Sequence, residues 1–580
     1  MINPLKNIGG IRSILYSLNV GRKIGFLKLL EVLISKNTCK TCALGMGGQN
    51  GGMRNEQGHW PEICKKSIQA IAADMQESIG SNFFKQYSIN DLKKFSSREL
   101  ENSGRIYSPL FSGSENTHYH PISWKEAFDR IEKKLRKTKP NRSFFYFSGR
   151  SSNEAGFLLQ LFARIYGTNH INNCSYYCHQ ASGVGLGQSI GTGTATIELE
   201  DLDHCDLFFL IGANPSSNHP RLLTKIKNIR KRGGQVIVIN PVIEKGLVKF
   251  NIPSNLGSLI FGSKIASEYI QVTPGGDLAL FTGIAKYLME KKQVDTKFID
   301  QYTENFDDFK LYIKKINWSE IERSSGLAKS KISIIGDHYI KSKNTIFSWC
   351  MGVTHHLHGT ATVQSIVNLA LMRGMVGKKH AGLMPIRGHS NVQGIGSMGA
   401  TPKLKKEIFN RLDKLGFSLP LNEGYDTLGC IKASEKKEID FALCLGGNLY
   451  GSNPDSTNSH KALSNIDMTV YMSTTLNTGH IMGRGKETII LPVLARDEEI
   501  QMTTQESMFN FVRGSNGGFN RLKNLRSEVE IIGEIADRVV GDNKLIKWSK
   551  LKNHNSIRRL IAKIIPGFES IKNIEKTNKE

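Results

Sequence analysis

From about residue 120 to residue 500, short apolar runs alternate with stretches of helical periodicity. Residues 143–149 (SFFYFSG) read as a buried strand, and Asn153–Tyr166 as the helix that follows it. Residues 206–212 (DLFFLIG) read as a strand, 220–232 as a helix and 235–240 (QVIVIN) as a strand. The unit recurs at 345–352 and 361–374, with further strands at 441–447, 469–475 and 488–494. Short apolar strands alternating with helices form parallel sheets, so the expected fold class is α/β.

Several of these strands run into Gly or Asn-Pro: LIGANP (210–215), VIVINP (236–241) and CLGGN (444–448). A strand end followed by a Gly-bearing turn and a helix N-terminus is where open α/β sheets hold phosphates and nucleotides. One such turn says little; three in one chain point to a large dinucleotide-type ligand. No GxxxxGKS/T phosphate loop is present, which argues against a P-loop nucleotidase.

At about 150 residues per domain, 580 residues suggest three to four domains. Hydrophobic residues at 39% and charged residues at 22% exclude wholesale disorder. No run approaches the roughly 18 apolar residues of a membrane-spanning helix. Nine cysteines are too sparse for a disulfide scaffold. With no secretory or twin-arginine signal in the first 38 residues, the expected location is cytoplasmic, with reduced thiols. Those residues read as basic amphipathic helices, packed on the body of the protein or lying on a membrane surface. The formal charge of +25 has three readings: a dispersed surface charge, a nucleic-acid or membrane surface, or basic pockets for a polyanionic cofactor. Its dispersal favours the first, and no nucleic-acid partner is expected.

Three constellations carry chemistry. Cys39 and Cys42 are separated by two residues, with Cys64 further on, around a Gly-rich wrap (TCALGMGGQNGGM). That spacing lets thiolates face one metal or cluster, although zinc and thiol redox chemistry stay open. An iron–sulfur cluster wants four ligands; the fourth candidates are His59 and Glu56. In NCSYYCH (173–179), Cys178 is followed directly by His179, which fits a metal thiolate with a neighbouring acid–base group or a buried structural cysteine. In PIRGHSNVQG (385–394), Arg387 on a Gly-rich loop could grip a carboxylate or phosphate, or be structural.

Taken in order, Cys39 to Cys64, NCSYYCH (173–179), LIGANPSSNHPR (210–221), INP (239–241), GGDLAL (275–280), WCMGVTHHLHG (349–359), AGLMPIRGHSNVQG (381–394) and LRSEVEIIGEIA (525–536) form a specific signature. The chain resembles the alpha subunit of molybdopterin-dependent formate dehydrogenases, in the YdeP-like branch, over about residues 39–567. The resemblance implies discontinuous Rossmann-like domains around a bis(molybdopterin guanine dinucleotide) with molybdenum, and an iron–sulfur cluster of the 4Fe-4S kind. By position, Cys178 matches the molybdenum ligand, His179 the adjacent proton acceptor and Arg387 the residue that orients formate. Cys39, Cys42 and Cys64 match cluster ligands, and Lys66 the lysine between cluster and pterin. Gly212, Asn214, Asn240, Gly276, Asp277, Gly447 and Asn448 fall on cofactor nucleotide loops; Gly352, Thr354, Gly388 and Gln393 fall near the pterins.

The implied division is an N-terminal helical and iron–sulfur domain at 1–80, a first α/β domain at 81–172 and 392–500, a second at 173–391, and a C-terminal segment at 501–580. Two departures stand out. The third Cys that catalytic members place soon after the CxxC is replaced by ALGMG (43–47). The family's β-rich C-terminal cofactor-capping domain has no counterpart before residue 580, so a separate chain supplying it is an expected partner. The implied function is two-electron oxidation or reduction of a small anion such as formate, with electrons passing through the cluster to an unknown acceptor. The alternative is a truncated, non-catalytic homologue that binds cofactor or a partner.

Overall fold

The computed structural model describes residues 8–62 and 64–577. Two parallel sheets dominate it. The first has seven strands in the order His120–Pro121, Leu110–Ser112, Glu487–Pro492, Met468–Ser473, Phe441–Leu445, Ser143–Phe147, Ile171–Asn173. Its last five strands are parallel, and the first two form an antiparallel edge. The second has five parallel strands in the order Glu268–Ile270, Gln235–Ile239, Leu207–Ile211, Thr345–Trp349, Gly382–Pro385. The central strands are buried along their whole length, SFFYF, LFFLI and FALCL among them, which is what helices on both faces require.

Each sheet reverses its strand order once. In the first, the parallel part starts at Ser143–Phe147, adds Ile171–Asn173 on one side, leaves, and returns on the other side at Phe441–Leu445. In the second, Leu207–Ile211 is flanked by strands added in opposite directions, so the reversal falls between it and Thr345–Trp349. Crevices at such reversals, outside the carboxyl ends of the strands, are where α/β sheets bind ligands.

The helices Ile11–Ile24 and Phe26–Ile34 pack through Val20, Leu29 and Leu33 on Met53 and Ile68 of the cysteine-bearing segment. A hairpin, Thr503–Glu506 with Val512–Ser515, clasps that segment: Thr38 N donates to Ser515 Oγ, and Gly514 N to Gln49 Oε1. Helices Glu528–Val540 and His554–Ile564 then close over the first sheet's helix Asn153–Tyr166. Among the described residues no helix is long and apolar enough to cross a membrane.

Candidate active site

The loops at the two reversals carry most of the sequence candidates. At the first sheet, Ser148 to Ser152 follow one strand and Gly446, Gly447 and Asn448 follow its neighbour; together they line a cavity of about 450 Å³. Gly446 and Gly447 have φ of 65° and 77°, left-handed values that suit glycine and keep this rim free of side chains. Asn448 is braced by Thr478 Oγ1 and Gly451 N, both at 2.8 Å. The helix Asn153–Tyr166 starts at the cavity wall, capped by Ser152 Oγ, so its positive end faces the space. Arg150, Lys40 and Arg496 add cationic side chains.

At the second sheet, Gly212 and Gly352 bring two strand ends into backbone contact. Gly352 N donates to Gly212 O at 3.0 Å, and a Cβ on Gly212 would lie 2.7 Å from Gly352 C. Asn240 Nδ2 donates to Ala213 O at 3.0 Å, and Asn214 accepts from Ser216 Oγ. Gly276 packs against Ser324 and Ser325 at the start of helix Asp277–Glu290. Burial pushes the Asp277 carboxyl up to about 6.

Between the two edges lies Cys178. It follows the edge strand Ile171–Asn173 and faces Arg387 and Gly388, which follow the other sheet's edge strand Gly382–Pro385. A Cβ on Gly388 would be 4.0 Å from Cys178 Sγ. The second sheet pins the cysteine's loop in place: Thr354 Oγ1 donates to Cys178 O at 2.6 Å, and His355 Nε2 to Tyr177 O at 2.7 Å. Burial raises the Cys178 thiol, while Arg387 and a hydrogen bond from Gly388 N–H act to hold the thiolate. Arg387 is itself buried; its Nη2 donates to Gly193 O at 2.6 Å, its Nε has no partner among the described residues, and burial lowers its pKa. Gln393 donates to Glu506 Oε1 and Asn510 Oδ1, both at 2.8 Å, and its Oε1 is also without a partner. The buried Arg387 Nε, on the guanidinium that acts on the Cys178 thiol, is costly to leave unmet unless a ligand accepts from it. An anionic cofactor or substrate would accept from that N–H, whereas Gln393 Oε1, itself an acceptor, calls for a donor; the residues therefore fit a group that carries both.

Three sequence readings meet surroundings that spacing did not show. His179, expected to accept a proton near neutral pH, is buried with both ring nitrogens engaged. Nε2 donates to Ile386 O at 2.8 Å; Nδ1 accepts from Ser182 Oγ at 2.9 Å, and Ser182 Oγ in turn accepts from Trp349 Nε1. Burial, then Arg387, pushes its pKa down to about 3, so it stays neutral and acts as a brace. Lys66 does not line the cavity on the cluster side; Lys40 and Arg496 do. Glu56 Oε2 lies 2.6 Å from Arg513 Nη2 while its Oε1 is without a partner among the described residues, and His59 is exposed.

Cys39, Cys42 and Cys64 are near enough to act on one another electrostatically. Burial, then Cys39 and Cys64, pushes the Cys42 thiol up to about 12, and burial also raises Cys64. Cys64 Sγ caps helix Lys65–Asp74 through Ser67 N at 3.4 Å, and the Arg221 cation favours both thiolates. Among the described residues no three His, Cys, Asp or Glu side chains form a group that would hold a single metal ion.

Three residues that brace the site escaped the sequence reading. His219 Nε2 donates to Arg387 O at 2.8 Å. Arg221 pairs with Glu62 at 2.8 Å beneath the cysteines. Arg496 donates to Cys39 O at 3.1 Å, Arg150 O at 2.6 Å and Ser390 Oγ at 3.0 Å, and so ties the cysteine segment to the 148–152 loop and to the loop that carries Arg387. His219 and Arg221 sit inside LIGANPSSNHPR and were legible as polar residues after a strand end; Arg496 had no signal.

Two largely parallel sheets with glycine loops at their reversals, and a buried cysteine–arginine pair following their edge strands, are the arrangement of a cofactor-binding α/β enzyme. The molybdopterin oxidoreductase family matches residues 105–538, and the chain belongs to it as a formate dehydrogenase-like alpha subunit. The molybdenum–molybdopterin cofactor goes with that membership. Among curated proteins the chain is similar to protein YdeP of Escherichia coli K12, at 37% identity over 530 residues, 87% of this chain and 70% of YdeP. It is 27% identical to formate dehydrogenase H of the same organism, over 75% of this chain and 60% of that protein. Acetylene hydratase from Pelobacter acetylenicus shares the fold, with a TM-score of 0.62 at 16% identity, covering 87% of this chain and 66% of that one.

Proposed function

We propose that the chain binds molybdenum as a bis(molybdopterin guanine dinucleotide) through Cys178, oxidises or reduces a small anion such as formate beside it, and exchanges electrons through an iron–sulfur cluster on Cys39, Cys42 and Cys64. The observation that carries this reading is the buried Cys178 thiol facing Arg387, whose Nε is left unpaired. When bound, the molybdenum centre supplies a two-electron couple and the cluster a one-electron path from it. The remaining work falls to the chain. Cys178 offers a soft thiolate ligand. Arg387 holds the anion by charge-assisted hydrogen bonds and favours the charge it carries. His219 and His179 fix the Ile386–Arg387 backbone, so the guanidinium is set before substrate arrives. Formate oxidation releases one proton and two electrons as carbon dioxide leaves, and the dry surroundings of Arg387 keep competing water out. The glycine loops and helix ends supply N–H groups for phosphates, with Gly212, Asn214, Asn240, Gly276 and Asp277 serving one nucleotide end, Gly447 and Asn448 the other, and Gly352, Thr354, Gly388 and Gln393 near the pterins. Arg496, with Lys40, takes the position between cluster and pterin.

The test is elemental and pterin analysis of protein purified without oxygen. Molybdenum near one per chain with guanine-dinucleotide pterin is expected, and Cys178→Ala should lose molybdenum while keeping iron. Iron without molybdenum in the wild type, or full molybdenum in Cys178→Ala, overturns the assignment.

A further inference from the structure

The helix Phe26–Ile34 is apolar on two sides. Leu29, Val32 and Leu33 form its buried stripe. On the outer side Leu27, Leu30 and Ile34 recur at helical spacing and are 84%, 49% and 53% exposed. The helix Ile11–Ile24 repeats the arrangement, with Ile11, Leu15 and Leu18 at 62%, 58% and 49%. Strand Ile8–Gly9, which leads into that helix, pairs with Lys249–Asn251, and Gly10 N donates to Asn251 O. This joins a third segment, Leu256–Phe261, whose Leu256, Ile260 and Phe261 are 78%, 66% and 74% exposed. A lone exposed leucine is ordinary; apolar stripes on three linked segments mark an interaction surface.

Charge identifies the occupant. Arg12, Arg22, Lys23 and Lys28 on the helices, with Lys249 and Lys264 beside them, are exposed, and none makes an ion pair among the described residues. Glu31 and Glu244 are the only acidic residues over 8–36 and 241–264. Protein interfaces favour Trp, Tyr and Arg and deplete Lys. Aliphatic stripes flanked by lysine and arginine are instead the pattern of a helix lying in the interface of an anionic bilayer.

We propose that this face docks on an anionic lipid surface, its aliphatic stripes entering the headgroup–acyl boundary and its cations meeting lipid phosphates. The inner face of Phe26–Ile34 borders Cys39 and Arg496 through a small cavity shared with Val32 and Leu33. Docking therefore brings the cysteine segment within one helix of the bilayer. That consequence as an electron route rests on the iron–sulfur reading; the docking does not.

The test is co-sedimentation of the full 580-residue chain with phosphatidylcholine vesicles, with and without phosphatidylglycerol, at low and high salt. Retention on the anionic vesicles is expected, at least about tenfold weaker on neutral ones and weakened by salt. Leu27→Glu/Leu30→Glu should lose at least about tenfold in binding with an unchanged unfolding midpoint. Phe261→Glu, on a separate segment, reads the same effect should the double variant misfold. Absent retention of the wild type, or undiminished binding by both variants, overturns the proposal. So does a dimer in light scattering that Leu27→Glu/Leu30→Glu dissociates, which would give the face to a second copy of the chain.

Discussion

Arg387 is placed by groups that sequence spacing hides: Gly193 O takes its Nη2, His219 holds its carbonyl, and Cys178 lies opposite. Arg387→Ala should lower kcat/KM for an anionic substrate by about a hundredfold, corresponding to roughly 3 kcal/mol for a buried charge-assisted contact. Arg387→Lys should recover only part of this, since an ammonium cannot reproduce the fork. Steady-state kinetics with molybdenum content as a control checks both. Asp277 allows a prediction about pH. Burial raises its folded pKa to about 6, above the unfolded carboxylate value. The folded chain then binds the proton more tightly than the unfolded one. Stability is therefore highest when the group is protonated and falls as pH climbs from about 4 through 6, by about 3 kcal/mol in all. Asp277→Asn should remove that loss: near pH 4 the variant and wild type should unfold in urea alike, and at pH 8 the variant should be the more stable.

At the scale of elements, the two strand ends at Gly212 and Gly352 touch backbone to backbone. Gly212 has φ +54°, and its Cβ position lies 2.7–2.8 Å from Gly352 and Val353 backbone atoms. Gly212→Ala therefore combines left-handed strain with overpacking against groups that cannot rotate away. A loss of about 2–4 kcal/mol is expected, read by chemical denaturation, together with reduced pterin retention. The helical elements were legible from local signals: Asn153–Tyr166 is capped by Ser152 and stopped by left-handed Gly167, and His554–Ile564 ends just before Pro566. The central strands matched the apolar runs to within about three residues, because a strand buried on both faces must be continuously apolar, whereas the short edge strands Ile171–Asn173, Glu268–Ile270 and Gly382–Pro385 gave no such run.

For the whole molecule, the C-terminal segment is tied to the first sheet by a dry ion pair. Arg558 Nη1 lies 2.9 Å from Glu154 Oε1, both side chains fully buried, and Glu154 also accepts from Thr504 N and Oγ1 at 2.9 and 3.0 Å. Arg558→Met leaves a buried carboxylate uncompensated and should cost about 3–5 kcal/mol. Adding Glu154→Leu should restore much of that loss, though Thr504 N then lacks its acceptor; a urea denaturation series on both variants measures the difference. Thr504 lies on the hairpin that clasps the cysteine segment, so Arg558→Met should also lower iron content at elevated temperature.

The sequence by itself determined the local parts of this protein: apolar runs that can only be buried strands, glycine turns after them, capped helices, and the ordered signature naming the family. It also marked Cys178 and Arg387 individually. Only the tertiary structure decided what those residues face. Cys178 and Arg387 are two hundred or so positions apart, and they meet because each follows the edge strand of a different sheet. His179 was marked by its place beside Cys178; the structure adds that desolvation and a neighbouring guanidinium both favour its neutral form. Arg496 approaches the cysteine segment from a loop more than four hundred residues away, a contact that no local pattern marks. Short-range patterns set secondary structure because they act over one or two turns, whereas pKa, pairing and proximity depend on neighbours that no local window contains.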